Sequence, residues 1–285
     1  MSKPPAFELA AKILADQLNF SFERFVARGA FKETYLAKDG RKLVAIKIFD
    51  PSKCSLARSQ REIEAAKRCS SNRLCCLLEY GESKVPGAGA FYYSVEEYLE
   101  GGTLTERIDS GTLTNKIIKY YSVCIAEAIA HLKDLQLVHR DIKPDNIMFR
   151  REANEPVLVD LGLVRDLSQP SLTKSWLPRG PGTPYYSAPE QLNNEKHLID
   201  WRTDQFSLGL VIGFCLTGVH PFQSDGATVP EAIEAVAQKK GCSEWFAEKL
   251  QELSWAPVLK MLEPWPNRRF NVPELLIKSL AEMGE

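Results

Sequence analysis

The pattern of apolar residues changes at the glycine pair Gly101-Gly102, and this change limits the folds open to the chain. Strand-like patterns precede the pair, in residues 20–49, 75–83 and 90–99, with Asp39-Gly40 as a hairpin turn and helices over 6–18 and 56–69. Helical patterns dominate after it, beginning with 114–135, and strand character returns only at Pro156–Asp160. The chain is therefore expected to be an α+β protein with two lobes that join near the glycine pair.

Composition narrows the class of protein. The chain has 285 residues, of which 44% are hydrophobic and 26% charged, and its net charge is −1. This balance favours a globular protein and gives no sign of nucleic-acid or membrane binding. The N-terminus is too polar for a signal peptide, the longest apolar segment is only Leu208–Leu216, and none of the 7 cysteines forms a C-x-x-C pair. We expect a cytoplasmic protein with reduced thiols and no membrane segment.

The stretch "LVHRDIKPDNIMF" concentrates polar side chains between apolar ends. Asp141 and Asn146 lie in this loop, and Asp160 ends the short strand of "VLVDLG". Two carboxylates and an amide that converge on one loop region could hold Mg²⁺, which prefers oxygen ligands and often binds one or two carboxylates together with substrate phosphates. The alternative is a loop of solvated charges.

"HRDIKPDN" resembles the catalytic loop of protein kinases, and "DLG" resembles their metal-binding D-F-G. This resemblance implies a two-lobe protein kinase fold, with a β-rich N-lobe and a helical C-lobe. It also implies that Asp141 accepts or orients the substrate hydroxyl proton, and that Asn146 and Asp160 hold Mg²⁺. Lys143 matches the serine/threonine class, in which this lysine contacts the transferred phosphate. Arg140 matches the arginine that pairs with a phosphorylated activation loop.

Further motifs follow in the family's order. "VAIK" ends at Lys47, and the family's Lys–Glu ion pair maps to Lys47 and Glu62. Thr183 in "GTPYY" matches the residue that bonds the catalytic Asp. Candidate phosphorylation sites in the activation segment are Ser168, Ser171, Thr173 and Ser175.

The last motifs lie in the C-terminal half. Asp204 opens a helix that is apolar on every side and therefore buried, and the resemblance implies that Asp204 holds the catalytic-loop backbone. Arg269 matches the arginine that pairs with Glu190 of "APE".

The resemblance extends over about residues 20–280 and is closest to bacterial eukaryotic-like serine/threonine kinases. It implies an N-terminal helical extension at 1–19, an N-lobe at 20–99 and a C-lobe at 100–285.

The glycine-rich loop departs from the family pattern G-x-G-x-x-G. Only Gly29 remains of the three glycines, because Ala27 and Lys32 occupy the outer positions, while Phe31 keeps the aromatic tip. Glycines let backbone N–H groups approach phosphates closely. Nucleotide binding is expected to persist in weakened form, and the charge of Lys32 could contact a phosphate.

The resemblance places adenine between Ala45 and Met148, with hinge hydrogen bonds from the backbone near Glu97 and Leu99. Glu96 then stands at the back of the ATP pocket, where an apolar residue or Thr is usual. A buried carboxylate requires a partner, and Glu96 is expected to compete with Glu62 for Lys47. The alternatives are a one-residue shift of the alignment and a side chain that reaches solvent.

These motifs predict a serine/threonine protein kinase that transfers the ATP γ-phosphate to protein hydroxyls, with autophosphorylation of its activation segment. The expected cofactors are ATP and Mg²⁺, and the expected partners are a protein substrate and a regulatory protein. One alternative is a pseudokinase-like binding module, which the degenerate glycine loop and Glu96 favour. Another is a small-molecule phosphotransferase of related fold, against which the complete "GTPYYSAPE" segment argues.

Overall fold

The chain divides into two units, Met1–Leu99 and Glu100–Glu285. The computed structural model describes residues 7–53, 56–85, 89–151, 154–161, 164–168 and 183–283, with the backbone alone at 56–58. Within the described residues, no helix is both long enough and apolar enough to cross a membrane. The first unit is built on a sheet and the second mainly on helices, so the predicted α+β class is confirmed.

Five strands of the first unit form an antiparallel sheet in the order β1-β2-β3-β5-β4. Their bounds are β1 Ser21–Arg28, β2 Lys32–Asp39, β3 Lys42–Phe49, β4 Leu77–Val85 and β5 Gly89–Glu97. Strand β3 shows why the sheet has two different faces. Val44, Ile46 and Ile48 alternate with Ala45 and Lys47, so that the β-branched side chains all point to one face and are buried there.

Two helices accompany this sheet, α1 at Glu8–Gln17 and α2 at Leu56–Arg68. The apolar stripe of α1 includes Ala11 and Leu14, which are buried in one core with Ile46 and Ile48 of the sheet. On α2, Ile63 forms a smaller cluster with Phe49. Helix α1 therefore contributes to the core of the first unit.

The described part of the second unit contains eight α-helices, several short 3-10 turns and two small sheets. The helices are α3 Leu104–Asp109, α4 Asn115–Asp134, α5 Pro189–Leu192, α6 Trp201–Thr217, α7 Val229–Ala237, α8 Glu244–Glu252, α9 Ala256–Met261 and α10 Pro273–Ala281. The sheets pair β6 Leu137–Val138 with β9 Arg165–Asp166, and β7 Ile147–Arg150 with β8 Glu155–Leu158. The first thirteen residues of α6 are all buried except Arg202, which confirms the predicted buried helix.

The glycine pair has a packing role in the second unit. A Cβ at Gly101 would lie 2.5 Å from the carbonyl oxygen of Phe149, and Gly102 has a φ of +74°. Close backbone approach makes two hydrogen bonds with Phe149 possible, one from the Gly101 N–H (2.8 Å) and one to the Gly102 carbonyl (3.1 Å). Only glycine fits both positions without strain.

Candidate active site

The loop after β6 is held by hydrogen bonds to a side chain of α6. The carboxylate of Asp204 accepts the backbone N–H groups of His139 and Arg140, each at 2.8 Å. Arg140 has a φ of +67°, which is unfavourable for a side chain of its size, and these hydrogen bonds help to hold it there. The predicted contact between Asp204 and the loop backbone is confirmed.

The carboxylate of Asp141 accepts four hydrogen bonds. Its Oδ1 receives the N–H of Thr183 at 3.1 Å and the hydroxyl of Thr183 at 2.8 Å. Its Oδ2 receives Lys143 Nζ at 2.8 Å and Asn146 Nδ2 at 3.0 Å. Lys143 Nζ also donates to the Thr183 hydroxyl at 2.8 Å. Four residues that the sequence singled out for catalysis or metal binding thus meet at one carboxylate.

The two residues predicted to hold Mg²⁺ lie at the same end of the β7–β8 hairpin, Asn146 directly before β7 and Asp160 two residues after β8. The N–H of Val159 donates to the carbonyl oxygen of Asn146 at 2.9 Å, which brings Asp160, the next residue, beside the Asn146 backbone. The side-chain nitrogen of Asn146 is directed to Asp141, so its Oδ1 is the atom available to a cation. A carboxylate and an amide oxygen fit Mg²⁺, which commonly completes its coordination with phosphates and water.

His139 connects the catalytic loop with this hairpin. It is fully buried, and its Nε2 lies 3.1 Å from the carbonyl oxygen of Val159. Its Nδ1 accepts the N–H of Asp141 at 3.3 Å, which leaves the proton on Nε2 to be donated to Val159. The imidazole therefore couples the position of Asp141 to that of the strand end before Asp160.

Helix α5 is anchored by a buried ion pair. Arg269 donates to both oxygens of Glu190, at 2.8 and 3.0 Å, and both side chains are fully buried. Thr203 of α6 also donates to Glu190, at 2.9 Å. The predicted pairing of Arg269 with Glu190 is confirmed. Of the candidate phosphorylation sites, Ser168 bonds Asp166 through its hydroxyl, whereas Ser171, Thr173 and Ser175 lie outside the described residues.

In the first unit, the four charged residues that the sequence connects with the nucleotide site form two of the ion pairs. Lys47 Nζ donates to Glu96 Oε2, and Lys32 Nζ donates to Glu62 Oε1. Glu96 therefore faces inward beside Lys47, as the family alignment required, rather than toward solvent. Lys47 is thus paired with Glu96, and Glu62 with Lys32. The predicted contact between Lys47 and Glu62 stays a prediction.

Burial and charge act in opposite directions on Glu96. Burial by itself raises its pKa, but the ammonium groups of Lys47 and Lys32 and the hydrogen bonds from Lys47 and Ser94 hold the pKa below its usual value. Glu96 is therefore a carboxylate at neutral pH. Cys75 lies beside it, with Sγ 3.4 Å from Glu96 Oε2, and burial raises the pKa of this thiol well above normal.

The residues predicted to contact nucleotide are spread over both units. In the first unit, Ala27 lies on β1 and pairs with Thr34 of β2, and the N–H of Gly29 donates to the carbonyl of Lys32 at 2.8 Å. Phe31 packs against Phe49 and Ile63. The other three of this unit are Ala45 on β3, Glu97 at the end of β5, and Leu99, which is buried; Met148 lies on β7 of the second unit and is half-buried. Their contacts with adenine remain predictions.

Two features of this region were not found from the sequence. One is the Lys32–Glu62 pair, for which the signal was a lysine in a glycine position. The other is Glu33, which is 3% exposed and accepts hydrogen bonds from the Phe7 backbone N–H (3.1 Å), Arg28 (2.7 Å) and the Tyr35 hydroxyl. Glu33 thus ties the start of α1 to both strands that border the glycine loop, and no local pattern indicates this.

Comparison with known proteins agrees with this geometry. The family model for the protein kinase domain matches residues 20–280. CBL-interacting serine/threonine-protein kinase 19 of Arabidopsis thaliana is 28% identical over 274 residues, which are 93% of this chain and 53% of that protein. Serine/threonine-protein kinase PknD of Mycobacterium tuberculosis is 31% identical over 219 residues, 71% of this chain and 30% of that protein.

A third relative is the probable serine/threonine-protein kinase SCO3848 of Streptomyces coelicolor, which is 30% identical over 255 residues, 86% of this chain and 37% of that protein. The chain thus spans about half the length of the plant relative and about a third of the length of these bacterial ones. The chain belongs to the protein kinase domain family, and within it resembles the eukaryotic-like serine/threonine kinases of bacteria.

Proposed function

We propose that this chain is a protein serine/threonine kinase that transfers the γ-phosphate of ATP to the hydroxyl of a protein substrate. The observation that carries the proposal is the carboxylate of Asp141, held by Lys143, Thr183 and Asn146. A carboxylate fixed in this way can orient a hydroxyl and accept its proton. The names of the relatives support the serine/threonine class.

Each donor around Asp141 has a role in this proposal. All four acceptor positions of the carboxylate are used, so an incoming hydroxyl has to replace one donor. Lys143 is the donor best suited to leave, because its flexible chain lets the ammonium move to the transferred phosphoryl group and offset the charge that develops there. Thr183 and Asn146 then keep the carboxylate oriented.

Asn146 and Asp160 are proposed to hold Mg²⁺, which when bound neutralises charge on the β- and γ-phosphates. The structure describes no cluster of three or more His, Cys, Asp or Glu side chains suited to a metal in the parts of the chain it covers. A site with one carboxylate and one amide agrees with a cation that arrives together with nucleotide phosphates. Lys47, with its carboxylate partner, is proposed to position those phosphates.

The remaining nucleotide contacts are proposed as the sequence predicts them. Adenine would contact Ala45 and Met148 and the backbone at Glu97 and Leu99, and the phosphates would approach the loop of Ala27, Gly29 and Phe31. Autophosphorylation of the activation segment, a regulatory partner protein and a cytoplasmic location belong to the same proposal. The cysteine pattern of the sequence, which has no C-x-x-C pair, is the basis for proposing a reducing compartment.

The test is transfer of radiolabelled phosphate from Mg-ATP to a generic protein substrate and to the chain itself. We expect incorporation on Ser and Thr by the wild type, and its loss in Asp141→Asn. Asp225→Asn, at an exposed loop position away from this site, is the matched control and keeps full activity. If Asp141→Asn transfers phosphate as fast as the control, the assignment is wrong.

A second candidate function is nucleotide binding without catalysis. The observation that favours it is the pairing of Lys47 with Glu96 in a chain whose glycine loop has lost two glycines. In that case the wild type binds ATP, and phosphate incorporation does not exceed that of Asp141→Asn.

A further inference from the structure

Three charged side chains form a diagonal row across one face of the first unit's sheet. They are Lys32 on β2, Lys47 on β3 and Glu96 on β5. The strand register places Thr34 and Ser94 opposite Lys47 on its two sides. Lys32 and Glu96 are each two residues from those partners, so both point to the same face as Lys47. Diagonal neighbours of this kind lie within reach of long side chains.

The three residues of the row take part in two well-buried ion pairs, one of them with Glu62 of α2. Lys32 binds Glu62 of α2, and their side chains are 11% and 10% exposed; Lys47 binds Glu96, at 12% and 11%. The charges of both lysines lower the pKa of Glu96, so the two pairs act as one electrostatic group. The two ammonium groups and two carboxylates have no net charge, so the four charged groups can remain together where little water reaches them.

The glycine loop is attached to α2 at this row. Phe31 packs against Ile63, and the next residue of the loop, Lys32, binds Glu62. The N–H of Gly29 donates to the carbonyl of Lys32, so Lys32 also closes the turn of the loop. The orientation of its ammonium group is therefore set by α2 on one side and by the loop on the other.

We propose that Lys32 is a second phosphate-binding lysine of the nucleotide site, positioned by Glu62, and that Glu96 positions Lys47. This inference rests on the proposed nucleotide-dependent function. An ammonium group has three donors, so each lysine can keep its carboxylate and still bind a phosphate oxygen. The charge of Lys32 then replaces part of the backbone N–H cradle that the lost glycines would have provided.

Glu96 has a different role here from the one expected from the sequence. As a competitor of Glu62, it would weaken nucleotide binding, and its removal would raise affinity. As the residue that positions Lys47, it supports binding, and Glu96→Gln lowers ATP affinity. The two models therefore predict opposite signs for one variant.

The first experiment compares the Kd of Mg-ATP with that of adenosine by calorimetry. We expect Lys32→Met to weaken ATP binding about tenfold or more, the factor for a lost charge-assisted hydrogen bond, and to leave adenosine binding unchanged. Lys38→Met is the matched control, because Lys38 lies on the same strand and pairs with Glu23 at 2.9 Å on the exposed surface. For Lys38→Met, the ratio of the Kd for Mg-ATP to the Kd for adenosine should equal the wild-type ratio.

Several outcomes contradict the inference. If Lys32→Met behaves like Lys38→Met, Lys32 does not bind phosphate, and the proposed function still stands. If the wild type binds neither ATP nor adenosine, the inference and the proposed function fail together. Should Lys32→Met not fold, Lys32→Gln keeps a polar side chain at this position and is judged by the same ratio.

The second experiment is a pair of double-mutant cycles on ATP binding. Lys32→Met with Glu62→Gln, and Lys47→Met with Glu96→Gln, should each show a double variant little weaker than the lysine variant alone. The crossed pair, Lys47→Met with Glu62→Gln, should show weaker coupling than either direct pair. Strong coupling in the crossed pair together with additivity in the other two would overturn the assignment of partners.

Discussion

Replacing Asp204 by Ala should destabilise the second unit more than any exposed Asp→Ala change. Asp204 is fully buried on α6, and its carboxylate is the acceptor for the N–H groups of His139 and Arg140 at 2.8 Å. The Ala variant leaves both donors without this acceptor and removes the hold on Arg140, whose φ is +67°. Each buried, unsatisfied N–H costs about 1–3 kcal/mol, so the expected loss is about 4 kcal/mol.

This loss is measurable by thermal unfolding followed by circular dichroism. For a domain of about 150–250 residues, 1 kcal/mol corresponds to about 2–4 °C, so Tm should fall by roughly 10 °C. Burial raises the pKa of Asp204 to about 6, above its ordinary 3.8. The stability that protonation of this group contributes is complete below about pH 4 and is lost as the pH rises through 6. At pH 7.5 the carboxylate is charged, and the assay should be done there.

The control is Asp225→Ala, which removes a carboxylate from an exposed loop. It should change Tm by no more than about 2 °C, as is usual for surface substitutions. A Tm for Asp204→Ala that agrees with the control would refute the role of Asp204 as an acceptor for the loop. Transfer activity should also fall in Asp204→Ala below the unfolding transition, because the loop that carries Asp141 is then less well ordered.

Three other changes test separate parts of the structure. Asp160→Ala should abolish phosphate transfer with little change in Tm, because it removes the only carboxylate proposed for Mg²⁺; turnover near the wild-type rate at saturating Mg-ATP contradicts this. Arg269→Met should cost about 3–5 kcal/mol in urea unfolding, since it leaves Glu190 buried and charged, and a loss below 1 kcal/mol would mean that the pair is dispensable. Burial lowers the pKa of His220 from its ordinary 6.5 to about 4. The neutral imidazole therefore contributes stability to the fold that is complete above about pH 6.5 and is lost as the pH falls toward 4, by up to about 3 kcal/mol. Tm measured between pH 7 and 4 should therefore fall less steeply in His220→Gln than in the wild type, and equal slopes would exclude this titration.

The sequence by itself determined the parts of the molecule whose geometry is local. Asp141, Lys143 and Asn146 lie within six consecutive residues, so their contacts follow from the conformation of one loop. The apolar character of α6 on every side required its burial. The order of the motifs then identified Asp204 and Arg269 as residues that contact distant parts of the chain. This was possible because a resemblance to a family implies the tertiary contacts that its members share.

Tertiary structure alone decided which charges pair in the first unit. Lys32, Lys47, Glu62 and Glu96 lie on three strands and a helix, and sequence spacing does not state which lysine faces which carboxylate. The register of β2, β3 and β5 placed Lys32, Lys47 and Glu96 in one row, and the packing of α2 brought Glu62 to Lys32. Side chains of this length can satisfy several arrangements equally well until the backbones on which they stand are fixed, which is why only the folded unit distinguishes among them.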